Sequence, residues 1–212
     1  MTNEDITIAR ASKEELEKAA AVLVDPNAKI ALRFRALFLL RNADPNNEKD
    51  TAIAAKAMVD CVKLPGIIKA SALLKHECAY CLGQIGANKG CRSFVVPDLF
   101  EILCDKEQPV IARHEAGEAL GAIGAVEYLA DLEKIAKMTP CDQFPIEVTQ
   151  TCELAVDRIK YIESDQSLKE KVLVSPFDSV DPAPPEDETM EDVKHLGNQM
   201  CDLKNSLFNR YK

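Results

Sequence analysis

Apolar residues recur along this chain at three- and four-residue intervals, in blocks set apart by polar, proline-bearing breaks. Leu73 to Gly86 reads LLKHECAYCLGQIG, and Ile111 to Gly124 reads IARHEAGEALGAIG. Laid over each other, 38 residues apart, they share His, Glu, Leu, Gly, Ile and Gly in the same order, with Lys75 opposite Arg113. An earlier copy lies 42 residues upstream, where Phe34-Arg35 falls in the place of His76-Glu77. A later one lies 36 residues past the third copy, with Gln150-Thr151 in that place and Ile159 opposite Ile123. Asp25-Pro26-Asn27, Asp44-Pro45-Asn46-Asn47, Pro65-Gly66 and Pro140 interrupt the periodicity where turns belong. The 3.6-type spacing predicts helices, and the recurrence predicts an all-α solenoid of about four helix pairs over residues 1–164. One such pair cannot bury its own apolar face, so stacked neighbours must make the core.

The pattern changes near Asp165. Ser175-Pro176-Phe177-Asp178 and Asp181-Pro182-Ala183-Pro184-Pro185-Glu186-Asp187-Glu188 are too polar and too rich in proline for a helix, which predicts an acidic linker over 165–187. Residues 188–212 then echo residues 11–35: Thr189 matches Ser12, Glu191 matches Glu14, Val193 matches Leu16, Met200 matches Leu23, and Arg210-Tyr211-Lys212 matches Arg33-Phe34-Arg35. This reads as the start of a second, incomplete copy of the same architecture, and the chain as half of a two-fold repeated protein.

Composition narrows the function classes. With 26 basic and 35 acidic residues the net charge is −9, which argues against a general nucleic-acid surface. Trp is absent and aromatics make up 5%, so a stacking platform for bases or sugars is not expected. No apolar run approaches 18 residues, which predicts no transmembrane helix. The acidic start, Met1-Thr2-Asn3-Glu4-Asp5, lacks the basic region of a secretory signal, so a cytoplasmic location is expected. There the eight cysteines are free thiols, most of them filling the core.

His76 and His114 hold the same repeat position, and each precedes a glutamate. The outer copies carry Phe34-Arg35 and Gln150-Thr151 there, so the fold does not demand the pair. Small residues that follow, Ala79, Ala116 and Gly117, leave room around the side chains. Equivalent positions on neighbouring helices lie about 8–10 Å apart between axes, so two imidazoles can converge on one ion. Residues i and i+1 point about 100° apart, which places Glu77 poorly to share the ion of His76. Two metals, with His to one and the adjacent Glu to the other, satisfy this spacing. Two His and one carboxylate with open positions is the ligand set of non-haem iron oxygen chemistry.

At these residues the sequence resembles the deoxyhypusine hydroxylase family, in particular its N-terminal half. The resemblance is carried by Leu74-Lys75-His76-Glu77-Cys78-Ala79-Tyr80-Cys81-Leu82-Gly83-Gln84 and by Arg113-His114-Glu115-Ala116-Gly117-Glu118-Ala119-Leu120-Gly121. Phe177 to Pro185 resembles the family's interdomain linker, and Asn209-Arg210-Tyr211-Lys212 the start of its second half. The resemblance implies HEAT-type helix pairs in two pseudo-symmetric halves with two irons held between them. It implies activation of dioxygen and hydroxylation of the deoxyhypusine side chain of a translation initiation factor. By that resemblance His76, Glu77 and His114 are expected as iron ligands. Glu115 belongs to the same motif and is a candidate both as a metal ligand and as the catalytic carboxylate that faces the substrate's cationic amines. The family carries four His-Glu pairs and this chain two. His195 has no following Glu and is expected on a solvated helix face. A symmetric homodimer would supply His76, Glu77 and His114 twice, and a lone chain is expected to expose an apolar face.

Other signals are weaker. Cys78-x-x-Cys81 invites a zinc reading, but Cys78 sits about 200° round a helix from His76, and the next repeat has Ala116 and Ala119 at the matching places. Gly83-x-x-Gly86 and Gly121-x-x-Gly124 are expected as helix ends and turns, not phosphate loops. The rival from another class is a non-catalytic HEAT-type scaffold or an inactive short form. HEAT-like repeats of bilin lyases are a more distant third.

Overall fold

The computed structural model describes residues 10–65, 71–87 and 90–164, together with 194, 197, 198 and 200–202. Among them are eight α-helices and no strand. The helices are α1 (Lys13–Val24), α2 (Ile30–Arg41), α3 (Glu48–Lys63), α4 (Ala72–Gly86), α5 (Arg92–Cys104), α6 (Val110–Ile123), α7 (Leu129–Ala136) and α8 (Ile146–Ile162), with a 3₁₀ turn at Val126–Tyr128 before α7. They pair in chain order, and the even-numbered helices coincide with the repeats read from the sequence. No helix of the described residues is long and apolar enough to cross a membrane. The expected linker and most of the segment after it, His195 included, lie outside the described residues.

Local chemistry sets the boundaries. Ser12 opens α1 with a reciprocal capping box to Glu15. Asn47 accepts from the Lys49 and Asp50 amides at α3, and Ser71 from the Leu74 amide at α4. Pro109 and Pro145 precede α6 and α8, and Gly124, at φ 71°, ends α6 in the left-handed region that suits glycine.

Helices α2, α4, α6 and α8 pack side by side in one layer, while α1, α3 and α5 follow one another in a second. The core between them holds Leu16, Leu37, Met58, Leu82, Leu99 and Leu120, each fully buried. Three cations interrupt this apolar interior at one repeat position: Arg33, Lys75 and Arg113, only 3%, 2% and 1% exposed. Each donates to a carbonyl in the last turn or at the cap of the preceding helix: Arg33 Nε to Leu23 (2.8 Å), Lys75 Nζ to Leu64 (2.8 Å) and Arg113 Nε to Leu103 (2.9 Å). A cation there satisfies an orphan carbonyl and opposes the helix dipole. The fourth repeat carries Thr149 at this position.

Gly83 and Gly121 are not turn residues. Both sit inside helices, where α4, α6 and α8 come close. A Cβ on Gly83 would lie 2.8 Å from Ala119 Cβ, and one on Gly121 2.8 Å from Ala155 Cα. The small residues expected to leave room around the histidines do something else. Ala79 and Ala116 are fully buried, and a Cβ on Gly117 would lie 2.6 Å from Thr151 Cγ2. They let neighbouring helices approach.

The thiols are free, as the composition predicts: Cys61, Cys78, Cys81, Cys91 and Cys152 are buried, Cys104 partly so, and Cys141 and Cys201 exposed. Burial pushes the Cys81 and Cys152 thiols up to about 12. Iodoacetamide at about pH 8 is therefore expected to label Cys141 and Cys201 on the folded protein and to spare Cys81 and Cys152 until it is unfolded. Peptide mapping by mass spectrometry checks this.

Candidate metal centre

The strongest chemistry in the chain lies on the N-terminal halves of α4 and α6. The helix repeat carries His76 and His114 to equivalent places on these adjacent helices, and the close Gly83–Ala119 contact holds the helices together. His76 is flanked on both edges of its ring. Its Nδ1 lies 3.2 Å from Glu77 Oε1, and its Nε2 lies 3.0 Å from Glu115 Oε2, which reaches across from α6. The adjacent glutamate, expected to point away, thus folds back onto its neighbour, because its flexible side chain offsets the angle between successive Cβ directions. Glu115, with a side chain 9% exposed, is the most buried carboxylate of the group and pairs with His76.

His114 forms a second, separate pair. Its Nε2 lies 3.1 Å from Glu118 Oε1, one turn further along α6, and its Nδ1 lies 3.4 Å from the Glu147 carbonyl on α8. The two imidazoles therefore turn to different carboxylates and do not meet at one point. The pKa of each imidazole is raised: for His76 chiefly by the hydrogen bond to Glu115, for His114 chiefly by the one to Glu118, in both cases against the opposing effect of burial. Cys81, on the face of α4 below, is held as a thiol by burial and, to a smaller extent, by the fields of Glu77 and Glu115.

Imidazole and carboxylate donors suit iron. In type the residues fit the metal implied by the resemblance. In number they do not close a site, since among the described residues no three His, Cys, Asp or Glu side chains form a group that could hold an ion. Glu118 was not foreseen, although its i,i+4 spacing from His114 was visible.

Beside His114 a cavity of about 510 Å³ opens between α6 and α8. Aliphatic side chains stand exposed at the first turns of these helices and of α4: Leu73 (53%), Val110 (39%), Ile111 (43%) and Ile146 (49%). These side chains lie at the end of the layer that carries the histidines.

The PBS lyase HEAT-like repeat family matches residues 112–137, within the third helix pair and the fourth. The chain is 40% identical to a deoxyhypusine hydroxylase of Neurospora crassa over 185 residues, covering 86% of this chain and 54% of that protein. It is 39% identical to that of Gallus gallus over 201 residues, covering 95% and 58%. The solved structure of human deoxyhypusine hydroxylase in complex with glycerol superposes with a TM-score of 0.70 at 38% identity, over 93% of this chain and 60% of that one. The chain spans just over half the length of the curated relatives it matches. By sequence and by fold, this all-α HEAT-type repeat protein is similar over nearly its whole length to deoxyhypusine hydroxylases.

Proposed function

We propose that the chain carries one half of a non-haem di-iron centre. Joined to a second such half, it hydroxylates the deoxyhypusine side chain of a translation initiation factor in the cytoplasm. The observation that supports this is the pairing of His76 with Glu77 and Glu115, beside His114 with Glu118, on adjacent helices of a chain similar to deoxyhypusine hydroxylases. His76, Glu77, His114 and Glu115 are the residues that would hold iron. Iron, when bound, supplies the activation of dioxygen needed to oxidise an unreactive C–H bond.

The chain's own groups prepare this chemistry. An imidazole binds a metal through an unprotonated nitrogen, so a ring that is protonated gives up a proton on loading. Glu115 Oε2 and Glu118 Oε1 stand where they can accept it, at 3.0 and 3.1 Å from the two Nε2 atoms. Two His-Glu pairs leave a site short of ligands, and a second copy of this chain offers the same set again. The apolar first turns beside the histidines give such a partner a surface to cover.

Native mass spectrometry of the iron-loaded protein reads chain count and metal count together. Two irons in a two-chain species are expected, with conversion of deoxyhypusine-bearing substrate by that species. A metal-free single chain would overturn the reading and leave a scaffold role in its place.

A further inference from the structure

Two thiols meet inside the core. Cys61, in the last turn of α3, and Cys78, on α4, are both fully buried, and their side chains hydrogen-bond to each other. Arg33 Nη2 donates to Cys61 Sγ at 3.5 Å. The cations at the same register in the next two repeats turn to oxygen: Lys75 Nζ to Gln108 Oε1 at 2.9 Å, and Arg113 Nη2 to the Gln143 carbonyl. A neutral thiol is a weak acceptor, so a buried guanidinium is matched better by a thiolate. The pKa of Cys61 is lowered accordingly, chiefly by the hydrogen bond with Cys78, with Arg33 and Lys75 adding to it against the opposing effect of burial. Packing does not ask for the second thiol, since Ala36 and Ala116 fill the register of Cys78 in α2 and α6.

A sulfur held by a cation, with a second thiol in contact, is an arrangement in which an oxidised cysteine is resolved at once to a disulfide. We propose that Cys61 and Cys78 form a reversible oxidation site, at which hydrogen peroxide joins α3 to α4 two residues from His76. The Cys61 thiolate attacks one peroxide oxygen, the O–O bond breaks, and Cys61 becomes a sulfenic acid. The released hydroxide takes up the proton that Cys61 had lost. The Cys78 sulfur then attacks the Cys61 sulfur, the S–S bond forms, and the oxygen leaves as water with the Cys78 proton. Two thiols are oxidised and one peroxide is reduced to two waters. Peroxide is little larger than water, and Cys61 lies near a helix end, where local opening costs less than unfolding the whole. The covalent bond draws the sulfurs closer than the hydrogen bond does, so α4 shifts, and His76 and Glu77 with it. The inference does not depend on the hydroxylase reading.

The test is hydrogen peroxide treatment of the folded full chain, with a chelator present so that no iron takes part, followed by peptide mapping without reduction. The expected product links the tryptic peptides 57–63 and 76–89 through Cys61 and Cys78, and a thiol reductant separates them. Cys81→Ala is expected to keep the link and Cys78→Ala to lose it. Where Cys78→Ala fails to fold, fragmentation of the linked peptides from the unaltered chain tells Cys78 from Cys81. Arg33→Gln is expected to slow the linkage by about tenfold, the scale of one hydrogen bond to a charged group. In NMR spectra the His76 ring signals are expected to move on oxidation, by more than those of His114, and to return on reduction. A folded chain that keeps both thiols while Cys141 is oxidised would overturn the proposal. So would scrambled pairings among the eight cysteines, or His76 signals that stay in place once the link has formed.

Discussion

His76→Ala is expected to lower the iron retained per chain by at least tenfold, as read by elemental analysis after gel filtration. Among the described residues His76 is the one imidazole that touches two carboxylates, Glu77 at 3.2 Å and Glu115 at 3.0 Å, so its loss removes a donor and releases two others from their positions. Partners that merely orient a metal ligand cost about 10–100-fold in affinity when removed. A group that is itself a ligand and also a hub for two more should cost at least as much. Glu115→Gln separates the roles of the carboxylates. The amide keeps the shape and a hydrogen bond to His76 but loses the charge, so a loss within that 10–100-fold range marks Glu115 as a residue that acts on the metal. Full retention of iron would instead assign Glu115 to the substrate's cationic arm. Cys81→Ala is the control. Its thiol is fully buried on the same helix, and the change should leave iron in place. Loss of metal from that variant would revive a cysteine-bound site.

The repeat register carried most of the fold. The offsets that align Phe34, His76, His114 and Gln150 also align α2, α4, α6 and α8, because a solenoid repeats its packing whenever it repeats its sequence. It was also enough to bring His76 and His114 onto adjacent helices. What it did not give is the partner of each imidazole. Glu115 reaches His76 across the gap between α4 and α6, and that reach depends on how far the helices separate, a quantity set by Gly83 and Ala119 that periodicity does not encode. Glu77 turns back to His76 through its own rotamer, which spacing cannot predict. The buried cations are hard to read from the sequence for a related reason. Arg33, Lys75 and Arg113 are polar letters in an apolar stripe, and only the carbonyl ends of the preceding helices explain why burying them is tolerated.

Gly121→Val is expected to destabilise the protein by about 3 kcal/mol, a fall in Tm of roughly 6–12 °C for a chain of this size. Glycine inside a helix normally costs about 1 kcal/mol against alanine, so propensity alone predicts a gain from replacement. Packing reverses the sign. A Cβ at this position would stand 2.8 Å from Ala155 Cα and 3.1 Å from Ala155 Cβ, and the nearer of the two is backbone, which cannot rotate away. The valine methyls add to the overlap, so α6 must move off α8. Removing the Ala155 side chain in the double variant Gly121→Val, Ala155→Gly should recover only part of the loss, since the contact with Cα remains. Complete recovery would mean that side-chain crowding alone set the cost. The displacement reaches the site as well. α8 supplies the Glu147 carbonyl near His114 and the Leu154 wall of the cavity, and Thr151 Oγ1 donates to the His114 carbonyl at 3.2 Å. Thermal melts measure the first effect. The methyl signals of Val110 and Leu154, read below the melting range, measure the second, and they should shift in the variant even where it is fully folded.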